Sequence, residues 1–191
     1  TGYDTFGYVF FQTLILDQKG NITLLTRAPD LRQAQNTSNI EDIRIWVDKD
    51  KSNPTDDLKI ILNEFNLKGK KIGIEYEAYG LTGRNALRLN KSLKDYCVVE
   101  DHSELITKHR VVKSQNEIVY VRKAAELADK ALEEAWKYTK TGASEAKILA
   151  EMQKVIFEGG GDYPANEFII GSGHNALLCR YQAEKRNLSN I

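Results

Sequence analysis

Apolar and polar positions follow two rhythms along this chain, and the rhythm changes once. An apolar stretch over residues 8–16 is followed by the turn residues Asp17-Gln18-Lys19-Gly20-Asn21 and a second β-rich run, 22–26. Two such runs around a polar turn predict a hairpin. A short helix follows with Pro29 near its first turn, a position where a missing N–H costs nothing. Residues 42–47 alternate polar and apolar side chains with the period of two of a half-buried strand. Leu58, Ile61, Leu62 and Phe65 then recur at helical spacing, beginning near Thr55 and ending before Lys68-Gly69-Lys70. A short strand at 72–74, a helix over 82–93 and a strand over 96–99 complete the alternation. Strand, helix, strand, helix, strand predicts an α/β domain over residues 1–110.

From Ser114 the rhythm becomes purely helical. Ser114-Gln115-Asn116-Glu117 has the form of a capping box, in which the Ser hydroxyl and the Glu carboxylate satisfy each other's backbone amides. Behind it Ile118, Val121, Ala125, Ala128, Leu132 and Ala135 step by three or four residues along one predicted face. Gly142 separates this helix from a second over 144–158, whose apolar face holds Ile148, Leu149, Met152, Val155 and Ile156. Gly159-Gly160-Gly161 ends it. Residues 168–170 and 177–179 are predicted as two short strands around the turn Gly171-Ser172-Gly173. A second domain is therefore expected over 111–191. The chain opens without an initiator Met and stops in mid-pattern, so it is read as an internal piece of a two-domain protein.

Charge changes this picture little, because Lys plus Arg and Asp plus Glu both number 27. No net field exists to hold a phosphate backbone, and no basic stripe with interleaved aromatics occurs, so nucleic acid is not an expected partner. No apolar run approaches the ~20 residues of a spanning helix, and nothing at the start resembles a signal peptide; a cytoplasmic protein without a membrane partner is expected. Cys97 and Cys179 lie far apart outside any metal-binding spacing and are read as two buried thiols.

Few residues stand out as carriers of chemistry. The two glycine clusters lack the strand-before, helix-after context of a phosphate-cradling loop and are read as a helix stop and a tight turn. His102 and His109 flank a short amphipathic segment and are read as surface residues, and Glu100, Asp101 and Glu104 as helix-start charges. His174 follows the Gly171-Ser172-Gly173 turn, where a loop could present it to a cleft or to solvent. Arg180 interrupts the apolar run Leu177-Leu178-Cys179-Arg180-Tyr181, so its charge must face solvent, a partner carboxylate or a bound anion. Its planar fork suits a substrate carboxylate.

The run from Arg110 to Ile118, followed by Ala124-Ala125-Glu126-Leu127-Ala128-Asp129, resembles the junction that opens the catalytic domain of the creatinase/prolidase family. Gly142-Ala143-Ser144-Glu145, Phe168 to Gly173 and Asn175 to Tyr181 are similar to the next family segments, in the same order. The resemblance implies a ribonuclease-H-like creatinase N-terminal domain, its start missing here, followed by the first part of a pita-bread (α+β) catalytic domain, assembled as a homodimer. It implies C–N bond hydrolysis. Peptidase members cleave Xaa-Pro bonds with two divalent metal ions held by Asp, Asp, His, Glu and Glu, all expected beyond Ile191. No metal ligand, no cofactor and no catalytic residue is therefore assigned within the chain, which is expected to be inactive alone.

Where peptidase members carry a His-Tyr pair, this sequence has Arg180-Tyr181. The departure favours a branch resembling creatinase or ectoine hydrolase, acting on a small carboxylated substrate held by Arg180, with His174 and Asn175 as further substrate-binding candidates. A metal-dependent Xaa-Pro dipeptidase and a non-catalytic binding protein of the same fold are the alternatives. Phe6 and Tyr8 are candidates of another kind: the resemblance implies that this segment leans over the neighbouring subunit's active site, although aromatics here also serve as core or sheet-edge residues. Apolar helix faces and strand edges left uncovered predict self-association of the isolated chain.

Overall fold

A computed structural model describes residues 2–5 and 9–177, arranged in two compact units, Thr1–Val111 and Val112–Ile191. In the first, β1 (Thr13–Leu16) and β2 (Ile22–Arg27) form an antiparallel hairpin in the register Thr13 to Leu25 and Leu16 to Ile22. Asp17 builds its turn. One carboxylate oxygen accepts from the Lys19 amide at 2.8 Å and the Asn21 amide at 2.9 Å, and the other from the Asn21 side chain at 2.7 Å. Gly20 takes a φ of 87°, which a residue with a Cβ would resist.

A 3-10 turn at Ala28–Asp30, with Pro29 inside it, and helix α1 (Leu31–Thr37) carry the chain across to β3 (Asp42–Trp46), parallel to β2. The sheet order β1-β2-β3 makes β2 the central strand, and Thr23 to Thr26 are buried accordingly. The Thr23 hydroxyl, buried and polar, donates to Asp42 at 2.8 Å across the parallel pair.

Helices α2 (Pro54–Glu64) and α3 (Gly83–Leu93), with β4 (Lys71–Ile74) parallel to β5 (Val98–Asp101), finish the α/β arrangement. Leu58, Ile61 and Leu62 of α2 and Leu89 and Leu93 of α3 meet Leu25, Phe11, Trp46 and Tyr96 in one core. The buried Trp46 indole donates to the Phe11 carbonyl at 2.9 Å. Helix α4 (Glu104–Val111) closes the unit.

Two strand boundaries differ from expectation. The first strand begins only at Thr13, because Phe11 turns into the core and the Phe10 ring lies over the Arg27 guanidinium, 3.3 Å from carbon Cζ to centroid. The last begins at Val98 rather than Tyr96. Tyr96 is drawn into the core, its hydroxyl donating to Asn63 at 2.9 Å, after Asp95 has bent the chain at a φ of 60°.

The second unit contains α5 (Gln115–Tyr138) and α6 (Glu145–Glu158). Ser114 caps α5 in a complete capping box: Glu117 accepts from the Ser114 amide at 2.7 Å, and the Ser114 hydroxyl accepts from the Glu117 amide at 3.3 Å. Ala131 of α5 and Ile148 of α6 are each 2% exposed. The apolar positions of α5 that are at least half-buried are Ile118, Leu127, Ala131, Ala135 and Tyr138, so of the predicted face Ile118 and Ala135 are covered while Val121, Ala125, Ala128 and Leu132 are exposed. Helix α5 carries apolar residues on more than one side, and periodicity alone does not say which side a neighbour covers.

The two short strands expected late in the chain do not form among the described residues. Residues 168–170 have no ladder partner there, and a strand needs one to satisfy its amides. Leu177 instead closes a 3-10 turn, Gly173–Leu177, while Leu178 and Cys179 lie outside the described residues.

Candidate functional site

The candidate residues that fall among the described ones lie in the segment after α6, and the start of that helix holds it. Ser144 is the N-cap, its hydroxyl accepting from the Lys147 amide at 3.4 Å. Glu145 follows in the first turn, 0% exposed. One of its carboxylate oxygens accepts from the Ser172 amide at 3.1 Å and from the Ser172 hydroxyl at 3.0 Å. A carboxylate is tolerated in such a place only when donors replace its water, and the positive end of a helix adds to their effect.

The loop so held is folded closely on itself. A Cβ on Gly171 would lie 2.5 Å from the Asn175 carbonyl oxygen, so this position admits only glycine without a backbone shift. The Asn175 amide donates to the Ser172 carbonyl at 3.1 Å, and Gly173 has a φ of 54°. His174 and Asn175 thereby fall next to each other in the 3-10 turn, with Asn175 half-buried. Of the sequence-derived candidates, these two fall among the described residues. Arg180, Phe6 and Tyr8 lie outside the described residues.

The contact between Glu145 and Ser172 is not foreseen in the sequence. An acid in the first turn of a helix ordinarily complements the dipole from the surface, and only its burial separates this one from that habit. The glycine turn around Ser172 was the available signal, but spacing could not say that a residue 27 positions earlier would grip it.

The first unit offers a different texture. Glu100 pairs with Lys71 at 2.7 Å and with His102 at 3.6 Å, and Lys71, through its hydrogen bond, chiefly holds the Glu100 carboxyl below its ordinary range. Asp101 accepts from the Ser103 hydroxyl at 2.5 Å and from the Ser103 amide at 2.9 Å, and these bonds lower its pKa. The Ser103 hydroxyl in turn accepts from the Tyr76 amide at 2.9 Å. Glu100 and Asp101 thus belong to the end of β5, where they fix the chain into α4. Burial raises the pKa of the Cys97 thiol, which makes it a poor nucleophile at neutral pH. A polar groove lies between the loop after β3 and the start of α3, where Lys49, Lys51, Arg84 and Arg88 face Asp48 and Asp50.

Among the described residues no three His, Cys, Asp or Glu side chains stand together as a metal site would require, and no helix is long and apolar enough to cross a membrane.

Comparison with known proteins gives this geometry its context. The Creatinase/Prolidase N-terminal domain model matches residues 1–112, and the model of Metallopeptidase family M24 matches residues 119–190. The chain is 32% identical over 110 residues to an Xaa-Pro dipeptidase of Pyrococcus horikoshii, covering 57% of this chain and 30% of that protein. The solved prolidase of Pyrococcus horikoshii OT3 superposes with a TM-score of 0.65 at 26% identity, over 88% of this chain and 44% of that one. The X-Pro aminopeptidase of Thermotoga maritima MSB8 does so with a TM-score of 0.76 at 21% identity, over 94% and 47%. The chain thus spans less than half the length of these relatives. The fold is that of a creatinase-type N-terminal domain followed by the first part of a pita-bread domain. With the first model alone matching more than half of its residues, the chain belongs to the creatinase/prolidase family.

Proposed function

We propose that the protein carrying this chain is a hydrolase of the M24 type that cleaves the C–N bond of a small carboxylated substrate, with Xaa-Pro dipeptides as the leading class. The observation that carries this reading is the ordered pair of family segments, 1–112 and 119–190, together with the identity to an Xaa-Pro dipeptidase. In it, two divalent metal ions would be held by residues outside the described ones and would supply Lewis-acid chemistry. The chain's own part is to bind and orient substrate. The turn carrying His174 and Asn175 lines the substrate, and Arg180 holds its carboxylate through two parallel N–H bonds. The reading takes the protein to be a cytoplasmic homodimer, with Phe6 and Tyr8 leaning over the partner's active site and 1–110 and 111–191 acting as the two domains.

A second reading keeps the hydrolysis and changes the substrate. Arg180-Tyr181, standing where peptidase members have His-Tyr, favours a small charged amide or amidine of the creatine or ectoine kind.

Both are tested on the protein expressed from its native reading frame, assayed with Xaa-Pro dipeptides, their C-terminal amides, and creatine- and ectoine-type substrates, before and after chelation and with added Mn²⁺ or Co²⁺. The first reading expects chelator-sensitive cleavage of Xaa-Pro. It further expects Arg180→Ala to raise KM for the free dipeptide by about tenfold or more, the size of a lost charge-assisted bond, while sparing the amide. Chelator-resistant cleavage of the small amides would replace it with the second. Absence of any hydrolysis in metal-loaded protein would overturn both in favour of a non-catalytic binding role.

A further inference from the structure

Ser144 already supplies the cap of α6, so Glu145 is not needed to start the helix. Its carboxylate is nevertheless withdrawn entirely from water and spends one oxygen on two donors of a single residue, the Ser172 amide at 3.1 Å and hydroxyl at 3.0 Å. Bonds from a backbone N–H to a carboxylate are strong and directional, and they fix the backbone rather than a movable side chain. What they fix is a loop with little freedom of its own: Gly171 is pressed against the Asn175 carbonyl, and the Asn175 amide is tied back to the Ser172 carbonyl. Holding Ser172 therefore holds the whole turn.

We infer that Glu145 is a positioning residue, anchoring the Gly171 to Asn175 loop to the first turn of α6 and so setting how tightly the turn bearing His174 and Asn175 grips substrate. The second half of this statement rests on the proposal that the turn lines the substrate; the first does not. Glu145 touches no reacting atom in this scheme. It acts through Ser172, and its effect belongs in KM rather than in the rate of bond cleavage.

The test uses the protein expressed from its native reading frame, with Glu145→Ala, Glu145→Gln, Ser172→Ala and the Glu145→Ala/Ser172→Ala pair. Amide hydrogen exchange is followed over residues 171–175 and over α5 and α6 as internal reference, alongside KM and kcat. Glu145→Ala is expected to speed exchange at the Ser172 amide by about tenfold or more, as loss of one bond to a charged group implies, with the helical amides unchanged. KM should rise by a similar factor while kcat changes less than about threefold, and Glu145→Gln, which keeps an acceptor oxygen, should recover most of the loss. The double variant should be no worse than Glu145→Ala alone, because Glu145→Ala already removes both bonds, including the hydroxyl bond that Ser172→Ala removes.

Unchanged exchange over 171–175 in a folded Glu145→Ala protein would overturn the anchor, as would full additivity in the double variant. Should Glu145→Ala fail to fold, Ser172→Ala decides. Loop exchange over 171–175 that is faster in Ser172→Ala, which loses the hydroxyl bond, with helices intact supports the anchor, and exchange unchanged in Ser172→Ala overturns it. Faster exchange with an unchanged KM would keep the anchor and overturn the placing of this turn against substrate.

Discussion

Asp42 shows how much one side chain does at the edge of the sheet. Its carboxylate accepts from the Arg44 Nε at 2.5 Å and from the buried Thr23 hydroxyl at 2.8 Å, and these bonds, Arg44 first, hold its pKa below the ordinary 3.8. A pKa lower in the folded than in the unfolded chain means that the folded state releases its proton more readily. The resulting stabilisation is complete above about 3.8 and is lost as pH falls through the lower folded value. Urea unfolding of wild type and Asp42→Asn should therefore differ at neutral pH and converge in acid below 3.8. A second expectation concerns Cys97, whose thiol is pushed up by burial: iodoacetamide should label it slowly at neutral pH in the native chain and rapidly after unfolding. Equal rates in the two states would contradict the burial. The sequence reading of Cys97 as a buried thiol rests on the habit of free cysteines, and the residue is half-buried against the core. The pairing of Asp42 with Thr23 needed the parallel register of β2 and β3, which no local pattern contains.

At the scale of elements, local chemistry was legible and distant partners were not. The Asp17 turn and the Ser114 capping box each close within five residues, and both form as their residue types dictate. The cap should be measurable: Ser114→Ala is expected to cost about 0.5–2 kcal/mol and to expose the first-turn amides of α5 to exchange, with Glu117→Gln costing less. Unchanged protection at the start of α5 would show that packing, not capping, holds it. By contrast, 168–170 has a strand's composition and no strand's partner among the described residues, and α5 offers apolar residues to two sides at once. The grip of Glu145 on Ser172 belongs with these cases. Each depends on what lies across a gap in sequence, and the residues themselves are compatible with several answers.

For the whole molecule, the decisive feature is the apolar surface of the second unit. Tyr120 is 71% exposed and Trp136 67%, with Val119, Val121 and Leu132 also open on the same helix, whereas Ile118, Leu127, Ala131, Ala135 and Tyr138 are covered at least in part. Single exposed apolar residues are ordinary, but Val121, Leu132 and Trp136 recur at helical spacing along one side of α5 and form the kind of surface that seeks a partner. The relatives to which the chain aligns are more than twice the length it covers, so chain is available in such proteins to lie over a face of this kind. For the 1–191 chain by itself, another copy is one means of covering that surface. Sedimentation should accordingly show a mean mass that rises with concentration, and a Val121→Lys/Leu132→Lys variant should remain monomeric at the same concentrations with its helical circular dichroism intact. A wild-type chain that sediments as a monomer throughout would mean that the exposed face is tolerated in water. The self-association expected from its pattern of apolar residues would then be wrong.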